Sequence, residues 1–314
     1  MEERILGSLW GAVVGDALGV PVEFQSRTKR ETDPVTDMRG YGTFHLPAGS
    51  WSDDSSLMLC TIEGLLQGFD TELIGKMFVR WLREAHLTPY GLVFDVGIGT
   101  SEAIRHIEQG VFAEQAGSDG ERNNGNGSLM RILPVAIHCL SMTDDDVVRH
   151  AHRASSITHG HPRSLMSCGI YCLIVRELLC GVAPHDAYLS AVERAKDIYA
   201  KPPFIGEMHH FGRVLGGDIG SYPEKAIQSD GYVIHTLEAA LWCLMAASSY
   251  RDAVLKAVNL GNDTDTTAIV TGGLAGAHYG LGEIPEEWRR QIARRDDIDR
   301  MFRAFIEKST GTTP

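Results

Sequence analysis

Gly7-Ser8-Leu9-Trp10-Gly11-Ala12-Val13-Val14-Gly15-Asp16-Ala17-Leu18-Gly19 carries glycine at every fourth position, and Gly272, Gly276 and Gly280 repeat the spacing near the other end of the chain. In a helix, residues four apart share a face, so each stretch presents a stripe without side chains where a neighbouring backbone can approach. A glycine inside a helix costs about 1 kcal/mol relative to alanine, and close packing is the natural offset. In an apolar segment such stripes also serve membrane dimers, but Asp16, Asp263 and Asp265 sit at or beside their ends. A crowded core of a water-soluble protein is the expectation, with the adjoining acidic residues held rigidly.

Outward from these two stretches, helical periodicity recurs and strand signals are scarce. Helices are predicted over 3–18, 54–67, 71–84, 94–109, 129–140, 144–154, 163–180, 185–199, 234–248, 250–259, 264–279 and 285–307. No regular alternation of strand and helix occurs, which excludes a doubly wound sheet and predicts a compact all-α fold. Segments 117–127 and 201–231 are long and glycine-rich, the second with prolines, and read as lids or binding loops. Without a composition shift or linker, residues 1–314 are expected to form a single domain.

Composition narrows the function. Of the 314 residues, 43% are hydrophobic and 22% charged, ordinary for a soluble protein with a sizeable core. A net charge of −12 argues against nucleic acid as partner. The start Met1-Glu2-Glu3-Arg4 lacks a signal peptide's basic segment, and 165–182 contains Arg176 and Glu177, so no membrane span is expected. Six cysteines without a Cys-x-x-Cys pair read as buried free thiols of a cytoplasmic protein.

Two acidic clusters carry the chemistry: Ser52-Asp53-Asp54-Ser55 after Gly49-Ser50-Trp51, and Asp263-Thr264-Asp265-Thr266-Thr267 after Gly261-Asn262. Each precedes a predicted helix. Helix starts favour carboxylates and hydroxyls on their own, so the clusters read either as elaborate N-caps or as the halves of an oxygen cage. A cap uses one oxygen, whereas four carboxylates brought together repel unless cations intervene. Oxygen-only ligation points to Mg²⁺ or Mn²⁺, with Ca²⁺ behind them, and away from zinc. Glu23 follows a Gly/Pro turn just beyond the first helix and reads as a surface residue or a site residue. Gly125-Asn126-Gly127-Ser128 forms a glycine turn before a helix, a place where backbone N–H groups can seat a phosphate. Thr158-His159-Gly160-His161-Pro162 lacks partners at zinc spacing, so hydrogen bonding or loop structure is expected of its histidines.

In this order and combination the motifs resemble the ADP-ribosylglycohydrolase family over nearly the whole chain, from Gly7-Ser8-Leu9-Trp10-Gly11 to Gly276-Ala277-His278-Tyr279-Gly280. The resemblance implies an orthogonal helical bundle and two Mg²⁺ or Mn²⁺ ions held by Ser52, Asp53 and Asp54 with Asp263, Asp265 and Thr266. Ser52 stands where the family often has threonine. It further implies that Glu23, Asp54 and Asp95 take part in catalysis. Gly125, Asn126, Gly127, Ser128, His159, Gly231 and Tyr232 match segments around the ADP-ribose. Phe94-Asp95-Val96-Gly97 is similar to an element of the dinitrogenase reductase-activating type, where the aspartate meets an arginine guanidinium; Asp95 as a cap of the following helix is the alternative. The expected activity is metal-dependent release of ADP-ribose from modified arginine in a protein substrate, by a monomer. Hydrolysis of a serine-linked, O-acetyl or other ADP-ribose linkage, and a non-catalytic crystallin-like role, stand as the alternatives.

Overall fold

The two glycine-striped segments become helices that lie against each other at the centre of the protein. The computed structural model describes residues 1–311. Among the described residues the helices are α1 Glu2–Gly19, α2 Arg27–Thr32, α3 Asp53–Leu65, α4 Thr71–Glu84, α5 Ile98–Glu108, α6 Leu133–His138, α7 Asp144–Ser156, α8 Pro162–Leu179, α9 Pro184–Tyr199, α10 Gly212–Leu215, α11 Val233–Met245, α12 Tyr250–Asn259, α13 Thr264–Tyr279, α14 Glu286–Gln291 and α15 Arg295–Thr310. Short 3₁₀ turns join several of them, and two isolated bridges, Ser118 with His159 and Gly125 with Tyr232, are the extent of β pairing among the described residues.

α1 and α13 run antiparallel with their glycines interlocked. A Cβ on Gly11 would lie 2.4 Å from the Gly272 carbonyl oxygen, and one on Gly7 would lie 2.5 Å from that of Gly276. Real Cβ atoms do not approach backbone so closely, so the stripe of small residues is what allows this pairing. The stretch Glu2–Val22 is long and apolar enough to cross a membrane by composition, yet from Ile5 onward it is buried inside the protein. Buried apolar residues from Ile5 to Ile306 form one continuous core around this pair.

Several boundaries differ from the sequence expectation, each for a tertiary reason. The helix expected from Phe94 starts at Ile98, because Asp95 has φ 55 and Gly97 is the N-cap residue. Asp95 therefore does not cap α5. The helix expected over 285–307 is broken into α14 and α15. There Ala293 N donates to Gly49 O (3.0 Å), Trp51 Nε1 donates to Ala293 O (3.0 Å), and Arg294 turns left-handed at φ 55. The helix expected over 129–140 is split into a 3₁₀ turn, Leu129–Arg131, and α6, with Pro134 in the first turn of α6. The 201–231 segment holds α10 and several 3₁₀ turns instead of open loop. The cysteines are free thiols and buried, apart from Cys180, which is exposed just past the end of α8.

Candidate functional site

The glycine pairing ends at the acidic residues and fixes their spacing. A Cβ on Gly19 would sit 2.3 Å from Asp265 Cα, and Thr264 Oγ1 donates to Gly19 O at 2.8 Å. The loop before α13 is tied to the loop after α1. Phe24 N donates to Asn262 O and Asn262 N to Gln25 O, both at 2.7 Å. Glu23 is thereby delivered beside Asp263. On the other side, Ser52 is the N-cap of α3, its Oγ accepting from Asp54 N at 3.2 Å. Ser52 does cap, whereas Asp263, the N-cap of α13, makes no side-chain capping bond, and the first-turn N–H of Thr266 is met by Asp265 Oδ1 at 3.0 Å.

A residue the sequence reading passed over anchors α3 to α1. Asp16 is wholly buried and accepts from Ser52 N (3.1 Å), Ser55 N (3.0 Å) and the Ser55 hydroxyl. Burial pushes its carboxyl up to about 6, while these donors pull the other way. Its signal in the sequence was a charge within an apolar glycine helix, a place where a carboxylate survives only with donors around it.

The two clusters and Glu23 meet. Carboxylate oxygens of Glu23, Asp263 and Asp265 lie within 4.8 Å of one another, and Thr266 Oγ1 is 3.5 Å from Asp54 Oδ1. Burial, followed by mutual repulsion, holds the Asp54 and Asp265 carboxyls well above the usual range. For Asp53 the order is burial, then repulsion from Asp95 and Asp16. Four buried oxygens find no hydrogen-bond partner: Glu23 Oε2, Asp54 Oδ2, Asp263 Oδ1 and Asp265 Oδ2. No Lys or Arg side chain among the described residues forms an ion pair with any of these groups. Orphaned oxygens from both clusters, all hard donors, are a donor set able to bind a metal ion. Glu23, singled out as a catalytic residue, thus also stands among the candidate ligands.

Above the carboxylates opens a cavity of about 420 Å³. Gly125, Asn126 and Gly127, segment 95–100 and His159 also line it. Asn126 joins the walls: its amide nitrogen donates to Asp263 Oδ2 (2.8 Å) and Thr236 Oγ1 (2.9 Å), and its backbone N to Gly231 O (3.1 Å). Gly231 abuts Asp263, since a Cβ there would lie 3.4 Å from Oδ2. Two residues expected at the ligand are turned elsewhere. Ser128 is fully buried, its Oγ 2.8 Å from Ser155 Oγ, and supports the histidine loop from behind. Tyr232 pairs its backbone with Gly125 but packs its ring edge-on to His235 at 4.9 Å.

Asp95 is half-buried at the cavity rim, and burial raises its carboxyl. Glu23 lies beside it, and burial, then repulsion from Asp265 and Asp95, raises the Glu23 carboxyl as well. The left-handed backbone of Asp95 is uncommon for a residue other than glycine, and such strain concentrates at functional sites. Phe24, also left-handed, stands 67% exposed at the same rim. The second histidine of the Thr158–Pro162 motif, His161, caps α8 by accepting from Arg163 N at 3.2 Å, in line with a structural role.

Comparison with known proteins agrees with this arrangement. The family profile described as ADP-ribosylglycohydrolase matches residues 1–314. ADP-ribosylarginine hydrolase Tri1 of Pseudomonas putida (strain GB-1) is 32% identical, the match covering 98% of this chain and 79% of that protein. ADP-ribosyl-[dinitrogen reductase] glycohydrolase of Rhodospirillum rubrum is 28% identical over 98% of this chain and 95% of that protein. A solved structure titled ADP-ribosylglycohydrolase-related protein complex superposes with a TM-score of 0.81 at 33% identity, covering 98% of both chains. With a full-length family match and that likeness in fold, the chain belongs to the ADP-ribosylglycohydrolase family and is an ADP-ribosylglycohydrolase.

Proposed function

We propose that the enzyme hydrolyses the N-glycosidic bond between ADP-ribose and an arginine side chain of a modified protein. In this reading two divalent cations, Mg²⁺ or Mn²⁺, are held by Ser52, Asp53, Asp54, Asp263, Asp265 and Thr266, with Glu23 at their edge. The observation that carries it is the set of orphaned carboxylate oxygens of Glu23, Asp54, Asp263 and Asp265 beside a cavity that Asp95 also lines. The arginine relatives from P. putida and R. rubrum point the same way.

When bound, the cations supply orientation of a ribose diol and activation of a water. The protein's own groups do the rest. Gly125 and Gly127 let the backbone approach a pyrophosphate, and Asn126 keeps Asp263 turned toward the cavity. Asp95 receives the guanidinium as a planar, charge-assisted partner. Glu23, its carboxyl raised by burial and by Asp265, is placed to give a proton to the departing guanidine nitrogen, while the surrounding carboxylates stabilise positive charge at the anomeric carbon.

The test is release of ADP-ribose from arginine-linked and serine-linked peptides side by side, with Mg²⁺, with Mn²⁺ and with chelator. Cleavage of the arginine-linked peptide alone, lost in chelator, is expected. Cleavage of only the serine-linked peptide would overturn the role given to Asp95.

A further inference from the structure

Behind the glycine wall lies a cation that the mechanism above does not use. Arg131 ends the 3₁₀ turn Leu129–Arg131 and is wholly buried. Its guanidinium sits 4.7 Å from the centre of the Phe78 ring, and no carboxylate pairs with it. Its two hydrogen bonds both leave Nη2, to Ala154 O (3.1 Å) and to Thr158 Oγ1 (2.7 Å), and Nε and Nη1 have no partner. An unpaired buried charge is expensive, so such a residue needs a reason to be there.

The Thr158 hydroxyl supplies one. It has a single proton and lone pairs to accept with, and Arg131 can only donate to it. Its other polar neighbour is His159 Nδ1 at 2.9 Å. Thr158 is buried, and the hydroxyl proton has no further acceptor, so it goes to Nδ1. Nδ1 then carries a lone pair, and the ring proton of neutral His159 resides on Nε2. Were Nδ1 protonated instead, two donors would crowd the hydroxyl and its own proton would be buried without a partner.

Nε2 faces the cavity. Cβ atoms built on Gly125 and Gly99 would lie 3.3 and 3.4 Å from it, and one on Gly127 would lie 2.8 Å from Cε1, so three glycines leave the ring a seat in the wall. The ring is also held from its backbone, with His159 N donating to Ser155 O (2.8 Å) and Ser155 Oγ to His159 O (2.9 Å). Burial, then the Arg131 charge, pushes the imidazole down to about 3, so it is neutral at ordinary pH.

We propose that Arg131, acting through Thr158, is a positioning residue that locks His159 as its Nε2–H tautomer, so that the ring donates into the cavity to a phosphate oxygen of ADP-ribose. The opposite tautomer would aim a lone pair at that anionic oxygen. In a cavity whose other wall is carboxylate, the choice of tautomer decides whether this wall attracts or repels a pyrophosphate. The ligand half rests on the substrate reading above; the tautomer half does not.

Both halves are tested with the ¹⁵N-labelled full chain in Mg²⁺, by long-range ¹⁵N–¹H correlation of the His159 ring and by titration with ADP-ribose. The wild type is expected to show the Nε2–H pattern at neutral pH. Arg131→Met frees the hydroxyl to accept, and is expected to admit the Nδ1–H ring and to weaken ADP-ribose binding roughly tenfold. Thr158→Val removes the donor to Nδ1 and leaves no acceptor there, so the ring is expected to stay Nε2–H while the Nδ1 resonance moves to that of a lone pair without a hydrogen bond. Thr158→Ser is expected to keep the wild-type Nδ1 resonance. Thr158→Val keeps the test usable if Arg131→Met does not fold. An Nδ1–H ring or an imidazolium in the wild type, or an Nδ1 resonance unchanged in Thr158→Val, overturns the lock. A locked ring in a protein that binds no ADP-ribose overturns the substrate reading instead.

Discussion

The last glycine of α1, Gly19, touches the backbone of Asp265, a Cβ there falling 2.3 Å from Asp265 Cα and 2.4 Å from its nitrogen. The packing stripe and the acidic site are therefore one construction. Gly19→Ala must drive the start of α13 away from α1. An overpacked core of this kind loses about 1–3 kcal/mol. Mn²⁺ binding should weaken by a further tenfold or more, because the ligands lose their support. Urea unfolding and calorimetric Mn²⁺ titration measure the two effects. Gly206→Ala, with no neighbour within 4 Å, is the control and should leave both unchanged.

Asp265→Asn should change sign with the metal. In chelator burial, then repulsion from Asp263 and Asp95, disfavours its carboxylate, so an uncharged amide is expected to raise stability at pH 8. Under the proposed metal reading, Mn²⁺ at a hundredfold its dissociation constant stabilises wild type by about 2.7 kcal/mol and the variant little. Melting curves in the two buffers should cross. A variant less stable than wild type in chelator would mean that the cluster is not under repulsion.

Asp16→Asn keeps size and removes an acceptor. An amide nitrogen would then face the Ser52 or Ser55 N–H group, two donors against each other. The expected loss is about 1–3 kcal/mol. Metal affinity should fall with it, because α3 begins at Asp53 and takes its orientation from this contact. Restoration by any substitution without a carboxylate would argue that the anchor is steric.

How much of this the sequence disclosed depended on distance along the chain. The glycine stripe was legible because its period of four lies within one helix, and each acidic cluster because its residues are neighbours. Asp16 was visible as a charge out of place, but its partners Ser52 and Ser55 are 36 and 39 residues away. The break between α14 and α15 rests on bonds from Ala293 to Gly49 and Trp51, which no local pattern carries. The start of α5 was misplaced because left-handed Asp95 is set by its surroundings, and aspartate in itself suggests a cap. The Arg131–Thr158–His159 chain links two loops through hydroxyl chemistry and had no sequence signal beyond the histidine motif.

His152 gives a pH dependence remote from the acidic cluster. Its ring packs at 4.9 Å against Phe204, with Nε2 3.0 Å from Tyr199 Oη, and burial pushes it down to about 4. A histidine depressed in the folded state binds its proton first in the unfolded chain, so its contribution is complete above pH 6.5 and is lost as pH falls toward 4. Relative to His152→Gln, wild type should therefore lose roughly 2–4 kcal/mol between pH 7 and 4. Unfolding free energies of both proteins across that range, subtracted, isolate the residue. A flat difference would mean that His152 titrates alike in the folded and unfolded chains and is not held neutral by burial.

Asp95→Asn separates charge from backbone shape. Asparagine tolerates the left-handed φ of 55 that Asp95 adopts, so the rim should keep its course. Only the negative charge offered to the guanidinium and to the neighbouring Glu23 is removed. Under the arginine reading, kcat/KM on an arginine-linked peptide should fall about a hundredfold, in keeping with a lost charge-assisted hydrogen bond at the reacting group. The dissociation constant for free ADP-ribose, which lacks the guanidinium, should stay within about threefold of wild type. If ADP-ribose affinity falls as far as turnover does, Asp95 serves the nucleotide or its metals and not the acceptor. The bond cut by this enzyme must then be read from another residue.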